Sequence, residues 1–330
     1  MKLKFIITGI VFFIYHISFS QNIRHLDPPN WWVGMKDSSL QLLIHGEKIS
    51  EYHVTINYPG VSVYQISKVE NPNYLFVDLI IKDDTKPGMM NLEFSADKKY
   101  FVQSYELKQR EKRKMDYGLD QSDFIYLLMP DRFSNGDTTN DVNYSMRDTL
   151  HNRKVLTDRH GGDLKGIINH LDYIKNLGAT AVWCTPLLEN DQPSWSYHGY
   201  AATDNYKIDA RIGTNELYKQ YAEKSHALGL KVVMDIVHNH VGLEHWFIRD
   251  LPMHDWINQW DEFTRTNYRT FTLMDNYASE FDKERMSNGW FDKHMPDLNQ
   301  RNKFLAKYII QNNIWWIEFL HVDGFRLDTY

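Results

Sequence analysis

The residues best placed to do chemistry stand near the end of the chain. In Val322-Asp323-Gly324-Phe325-Arg326-Leu327-Asp328 an arginine and an aspartate are two positions apart, a spacing that puts both side chains on one face of a β-strand. A guanidinium beside a carboxylate lowers the carboxylate pKa and keeps it ionised, the state needed for attack as a nucleophile. A salt bridge at a strand end is the structural alternative. Upstream, the apolar run Lys231 to Val237 ends in Asp235-Ile236-Val237-His238-Asn239-His240. Asp235, Val237 and Asn239 share a face, and the strand end lets Asn239 and His240 reach a cleft. His238 and His240 also admit a metal reading, that of a barrel hydrolase binding zinc or nickel with further ligands from other strands, or a purely structural histidine network. The segment Asp131 to Asp141 gathers hard oxygen donors, the requirement of a calcium ion wanting about six to eight oxygens. Asp163 by itself suits a helix N-cap.

These groups need a scaffold of alternating strands and helices. Ile125 to Met129 reads as a first buried strand. Leu164, Ile167, Ile168, Leu171, Ile174 and Leu177 recur at helical spacing and stop at Gly178. A second strand follows over 180–185, and then a helix capped by Thr214, bearing Leu217, Tyr218, Tyr221 and Leu228, and ended by Gly229. The third strand covers 231–237, a third helix 302–320, and Val322 opens the fourth strand. Near-continuous apolar strands separated by amphipathic helices specify parallel βα units with right-handed crossovers. Four in a row, with polar residues at the ends of the later strands, predict the first half of a (β/α)8 TIM barrel, whose sites lie at the C-terminal strand ends. An open nucleotide-binding sheet is the rival, but no Gly-x-Gly-x-x-Gly loop follows a strand. Before these units, segments such as 40–46, 61–66 and 74–81 alternate in polarity between Pro/Gly/Asn turns, which predicts an all-β, immunoglobulin-like antiparallel sandwich.

The 330 residues are 42% hydrophobic and 14% aromatic with a net charge of −6, enough for a sizeable core and without a global basic field for nucleic acid. The basic run Lys108 to Lys114 reads as a solvated linker. Residues 1–20, with Lys2 and Lys4 before an apolar run and Ser18-Phe19-Ser20 before Gln21, read as a signal peptide. The apolar run is shorter than the ~20 residues of a spanning helix. The expectation is therefore export to the periplasm or cell exterior, with no stable membrane anchor after cleavage. The single cysteine, Cys184, lies in an apolar strand and is expected to pack rather than react.

The ordered set of motifs resembles the alpha-amylase family, glycoside hydrolase family 13. Gly324 to Asp328 is similar to the segment carrying the nucleophile, and Asp235-x-x-x-Asn239-His240 to the family's first conserved region. Gly178 to Pro186 resembles the second-strand motif, and Tyr197-His198-Gly199-Tyr200 the loop after it. Pro28-Pro29-Asn30-Trp31-Trp32 and Met295-Pro296-Asp297-Leu298-Asn299 are similar to neopullulanases and cyclomaltodextrinases. The resemblance implies Asp328 as nucleophile, oriented and kept ionised by Arg326, with Asp235 supporting the arginine. It implies His240 as a sugar hydrogen-bonding group, His198 bonded to the hydroxymethyl oxygen and Tyr200 stacked on the ring. Ordinary loop packing is the alternative for Tyr200. It also implies a structural Ca2+ at Asn135, Asp137, Asn140, Asp141, the Gly161 carbonyl and Asp163. The 295–299 run is assigned no catalytic role.

The expected organisation is a signal peptide at 1–20, a β-sandwich at 21–110, and the first half of the catalytic barrel at 116–330, with domain B of the family at 241–301. The sandwich is read as a packing partner, with a sugar-binding module or dimerisation unit as alternatives. The implied activity is retaining hydrolysis of an α-glucan such as starch, maltooligosaccharide, cyclodextrin or pullulan. That chemistry needs a second carboxyl group as acid and base; the family draws this glutamate from the fifth strand, and a further aspartate from the seventh, both outside these residues. The 330 residues alone are accordingly expected to be a fragment, neither stably folded nor active, with an unpaired edge at the fourth strand. A non-catalytic α-glucan-binding protein on the same scaffold is the alternative from another class. Linkage preference and oligomeric state, a homodimer included, stay open.

Overall fold

The computed structural model describes residues 23–97, 99–111 and 118–329. The expected signal peptide and the end of the basic run, Lys112 to Lys114, lie outside the described residues. The first part contains eight strands: β1 (Ile23–Asp27), β2 (Asn30–Val33), β3 (Ser39–Gly46), β4 (His53–Ile56), β5 (Val61–Lys68), β6 (Tyr74–Ile81), β7 (Gly88–Ala96) and β8 (Lys99–Gln109). They form two four-stranded sheets, ordered β1-β3-β6-β5 and β2-β8-β7-β4. In β7, Met90, Leu92 and Phe94 are buried while Met89, Asn91 and Ser95 face outward, the alternation of a half-buried strand. By contrast β3 and β6 are buried on both faces, because Phe76 also meets Trp256 and Phe304 from the second part of the chain. One pairing departs from the antiparallel expectation: β2 lies parallel to β8. The chain switches sheets at Pro28-Pro29, so β2 follows β1 into the opposite layer and does not form a hairpin with it.

The second part is built on β9 (Ile125–Leu128), β10 (Ala181–Cys184), β11 (Lys231–Val237) and β12 (Gly324–Asp328). All three pairings are parallel, in the order β12-β11-β10-β9. The helices are α1 (Pro130–Phe133), α2 (Leu164–Ile168), α3 (Leu171–Asn176), α4 (Asn215–Ala227), α5 (Trp246–Arg249), α6 (Phe271–Met274), α7 (Glu280–Asn288) and α8 (Lys303–Leu320). Side-chain caps fix several helix starts, those of α2, α4 and α8 among them. Asp163 accepts from Gly166 N (2.6 Å), Thr214 from Leu217 N (3.1 Å), and Asn302 from Phe304 N and Leu305 N (3.0 and 3.1 Å). Each cap is worth about 1 kcal/mol. Cys184 is buried, and burial pushes its thiol pKa up to about 12.

The single helix expected over 164–177 is two. His170 has non-helical angles (φ −120°, ψ 14°), and its Nδ1 bonds the Gly166 carbonyl at 2.7 Å. That carbonyl is the acceptor an unbroken helix would give to the His170 N–H, which turns instead to Ile167 O at 2.9 Å. The apolar spacing survives the break, and Leu164, Ile167, Leu171 and Ile174 are all buried.

Between the two parts, α8 lies against β3. Gln41 and Gln311 exchange two buried bonds, Gln41 N to Gln311 Oε1 and Gln311 Nε2 to Gln41 O, both 2.7 Å. Tyr308 OH donates to Asp27 at 3.2 Å and Trp315 Nε1 to Asn30 at 3.2 Å. The start of the long insertion between β11 and α8 is held too: Asp250 accepts from Asn71 and Asn73 and pairs with His45. No helix among the described residues is long and apolar enough to cross a membrane.

Candidate active site

β11 and β12 run in register, with Asp235 beside Arg326 and Val237 beside Asp328. Neighbours in a parallel ladder point to the same face, so the register itself brings Asp235 and Arg326 together. Arg326 Nη1 lies 3.2 and 3.3 Å from the two Asp235 oxygens and also donates to Asp328 Oδ1. A single guanidinium thus bridges two carboxylates at the C-terminal end of the sheet. Asp328 accepts a further bond at its other oxygen, from Thr329 Oγ1 at 2.9 Å.

Asp235 is 2% exposed, and a buried carboxylate must be hydrogen-bonded. Besides Arg326 it accepts from Trp183 Nε1 (2.9 Å) and from the Tyr200 hydroxyl (3.1 Å). Burial raises its pKa, against the lowering effect of Trp183, Arg326 and Tyr200. Burial alone would lower the Arg326 pKa, but Asp235 and Asp328 outweigh it and raise it. The guanidinium also lies over the Trp183 ring at 4.9 Å and 6.0 Å from the Tyr200 ring, within cation–π range. Burial and then Asp235 push the Tyr200 pKa up, so the phenol stays protonated and donates.

His198 and Tyr200 sit on the loop after β10. The His198 ring stacks on Tyr200 at 5.9 Å, and its Nδ1 accepts from Tyr200 N at 2.9 Å. Accepting at Nδ1 leaves the proton on Nε2, which makes the ring a neutral donor; burial holds the His198 pKa at about 4. Gly199 makes the turn possible with φ 84°, and a Cβ there would lie 2.0 Å from Pro186 O. His240 is 1% exposed, bonds the Tyr200 carbonyl through Nε2 at 3.2 Å and stacks on Phe291 at 4.7 Å. Burial lowers its pKa to about 4 as well. His238 turns elsewhere, to Asn313 of α8 at 3.0 Å, so the two imidazoles do not converge on one ion.

Arg326, Asp328, Asp235, Tyr200, His198 and His240 therefore form one connected set. Three participants were not singled out in the sequence. Trp183 was legible, since the β10 register places it level with Leu127 and Val233 on the face that holds Asp235. Phe291 had no such signal because the insertion has no period, and Asp297 stood in the 295–299 run, to which no catalytic role was assigned. Asp297 is 3% exposed, accepts from Asn258 Nδ2 at 2.7 Å, and has its pKa raised to about 7 by burial. Its neighbour Leu298 donates to Asn239 O at 2.8 Å, so the 295–299 run pins the strand end that carries His240.

The oxygen-rich loop after β9 is partly preset for a hard cation. Asn135 Oδ1 and Asn140 Oδ1 are buried without a hydrogen-bond partner. At Gly161 (φ 82°) a Cβ would meet Asp141 Oδ1 at 2.5 Å and Asn135 Nδ2 at 2.8 Å, so these groups converge on its backbone. This cradle fits an ion that prefers amide, carbonyl and carboxylate oxygen. Asp163 already accepts from the N–H groups of Gly136, Asp137 and Gly166. Asp137 is exposed and accepts from Thr139.

Residues 124–330 match the model of the alpha amylase catalytic domain. The chain belongs to the alpha-amylase family. Residues 25–111 match the cyclomaltodextrinase N-terminal domain. A cyclomaltodextrinase of Thermoanaerobacter pseudethanolicus is 31% identical over 212 residues, 62% of this chain and 34% of that protein. Neopullulanase 2 of Thermoactinomyces vulgaris is 30% identical over 216 residues, 62% of this chain and 33% of that protein. The crystal structure of an Anoxybacillus alpha-amylase superposes with a TM-score of 0.50 at 36% identity, over 62% of this chain and 40% of that one. The chain thus spans about a third of the length of these two curated relatives, and in this amylase family the four parallel strands form part of a TIM barrel.

Proposed function

We propose that this chain carries the nucleophile side of a retaining glycoside hydrolase acting on α-glucans. The observation that supports this most is the single Arg326 guanidinium shared by Asp328 and the buried Asp235 at the C-terminal strand ends. Arginine stays charged throughout the working pH range, so its bond to Asp328 holds and orients that side chain at the strand end. Asp328 would attack the anomeric carbon as the glycosidic C–O bond breaks, giving a covalent glycosyl-enzyme that water resolves with retention. The acid that protonates the leaving oxygen belongs to a later strand of the family's barrel. Tyr200 offers an aromatic face and His198 a neutral hydrogen-bonding group to the sugar, while His240, buried and bonded to the Tyr200 carbonyl, holds that tyrosine in place. The cyclomaltodextrinase and neopullulanase among the relatives support an α-glucan as substrate. In the full protein containing this chain, Asp328→Asn is expected to lower kcat by about 10⁴-fold or more, as loss of a nucleophile does, with maltooligosaccharide binding retained. Unchanged turnover in that variant sinks the proposal.

The loop after β9 is proposed to hold a calcium ion, for which Asn135, Asp137, Asn140, Asp141, the Gly161 carbonyl and Asp163 would supply the oxygen donors. The ion would stabilise the loop and take no part in the reaction.

A further inference from the structure

The loop that presents His198 and Tyr200 is held in an unusual conformation. Trp195 has left-handed angles (φ 60°, ψ 24°), which side-chain-bearing residues seldom adopt, so surrounding structure must enforce the short turn over 196–198. Ser196 supplies the first anchor. Its N–H and hydroxyl donate to Asp148 Oδ2 at 3.2 and 2.8 Å, and its carbonyl accepts from Arg159 Nη1 at 3.3 Å. Asp148 and Arg159 are both buried, and their bonds fix the start of the turn.

The middle of the turn is met from a different element. Arg132 stands on α1, just after β9, and its guanidinium lies 4.2 Å from the centre of the Tyr197 ring, well inside cation–π range. That plane is fixed from behind: Nη2 donates to Leu156 O at 2.7 Å, and Nη1 lies 3.3 Å from Asp131 Oδ2. Asp131 is 1% exposed and accepts from the His160 and Gly161 N–H groups, and Arg159 Nε lies 3.8 Å from its other oxygen. One buried carboxylate therefore sits behind both arginines that reach this loop. From Tyr197 the contacts run on toward the reacting groups. Its ring meets His198 edge-on at 5.6 Å, His198 stacks on Tyr200 at 5.9 Å, and the Tyr200 hydroxyl donates to Asp235 at 3.1 Å. The Arg132 guanidinium is thus the first member of a continuous series that ends at Asp235 and Arg326.

We propose that Arg132 is a positioning residue for substrate binding, which acts through the Tyr197 ring to set where His198 and Tyr200 meet the sugar. The inference rests on the α-glucan hydrolase reading above and extends it to a side chain of the helix after β9. The test uses the full protein containing this chain, with KM and kcat measured on maltoheptaose. Arg132→Met keeps the stem and loses the charged plane. It is expected to raise KM about tenfold, the scale of a desolvated cation–π contact, with kcat within about twofold of the wild type. Tyr197→Leu is expected to do the same, and the double variant to bind no worse than either single one, because both remove one contact. Tyr197→Phe restores the ring and is expected to recover most of the binding that leucine loses. Losses that multiply in the double variant, a fall in kcat at unchanged KM, or a phenylalanine variant as impaired as the leucine one overturns the proposal. Should Arg132→Met fail to fold, Tyr197→Leu carries the same test, and an unchanged KM there overturns the proposal. A wild-type enzyme that turns over no α-glucan overturns the hydrolase reading and this inference with it, whereas intact turnover with a KM indifferent to Arg132→Met overturns the inference alone.

Discussion

Asp297 shows how a residue outside the reacting groups can set the working range. Its pKa, raised by burial from 3.8 to about 7, means that the folded protein binds more protons than the unfolded chain between those values. Stability therefore falls as pH rises through that window. Asp297→Asn keeps the geometry and removes the charge, so it is predicted to melt higher than the wild type at pH 8 and alike below pH 4, read from Tm against pH. A variant less stable at pH 8 would show that the ionised carboxylate is needed where it stands. His198 and His240 act in the opposite sense. Their folded values of about 4 lie below the ordinary 6.5, so their contribution is present above pH 6.5 and fades as pH falls toward 4.

Among the elements, the loop after β9 makes the clearest prediction. Its orphaned Asn135 and Asn140 oxygens cost stability unless a partner arrives. Millimolar calcium is predicted to raise the Tm of the full protein by several degrees, and Asn140→Ala to abolish the rise; a Tm indifferent to calcium and to chelation contradicts the cation site. The elements also mark how far the sequence could be read. β11 and α8 follow from the apolar run over 231–237 and the helical stretch over 302–320, because both signals are local. Arg326 and Asp328 sharing a face follows from strand alternation alone. The break at His170 could not be read, since Leu164 to Ile174 keeps one apolar stripe on either side of it and a ring nitrogen decides the break. The parallel β2–β8 pairing and the Phe291–His240 stack are long-range, and no local period encodes them.

For the whole molecule, the sandwich and the barrel segment are joined by buried polar bonds whose loss is costly. Gln311→Leu would strand both the Gln41 N–H and its carbonyl, 5% exposed in the folded protein, at about 1–3 kcal/mol for each group left unpaired. In the full protein the two parts are predicted to unfold in one calorimetric transition that moves down as a unit in this variant. Separation into two transitions in the wild type would mean that the interface contributes little. The same interface holds the insertion through Asp250, so the sandwich helps to position the segment that supplies Phe291. In the proposed mechanism Asp328 is the group that bonds to sugar. The most direct measurement is to treat the full protein with a fluorinated α-glucosyl fluoride that slows deglycosylation, digest it, and locate the added mass by peptide sequencing. One glucosyl unit on Asp328 is the predicted result; a label on another carboxylate, or turnover with no covalent adduct and inverted product, would contradict it.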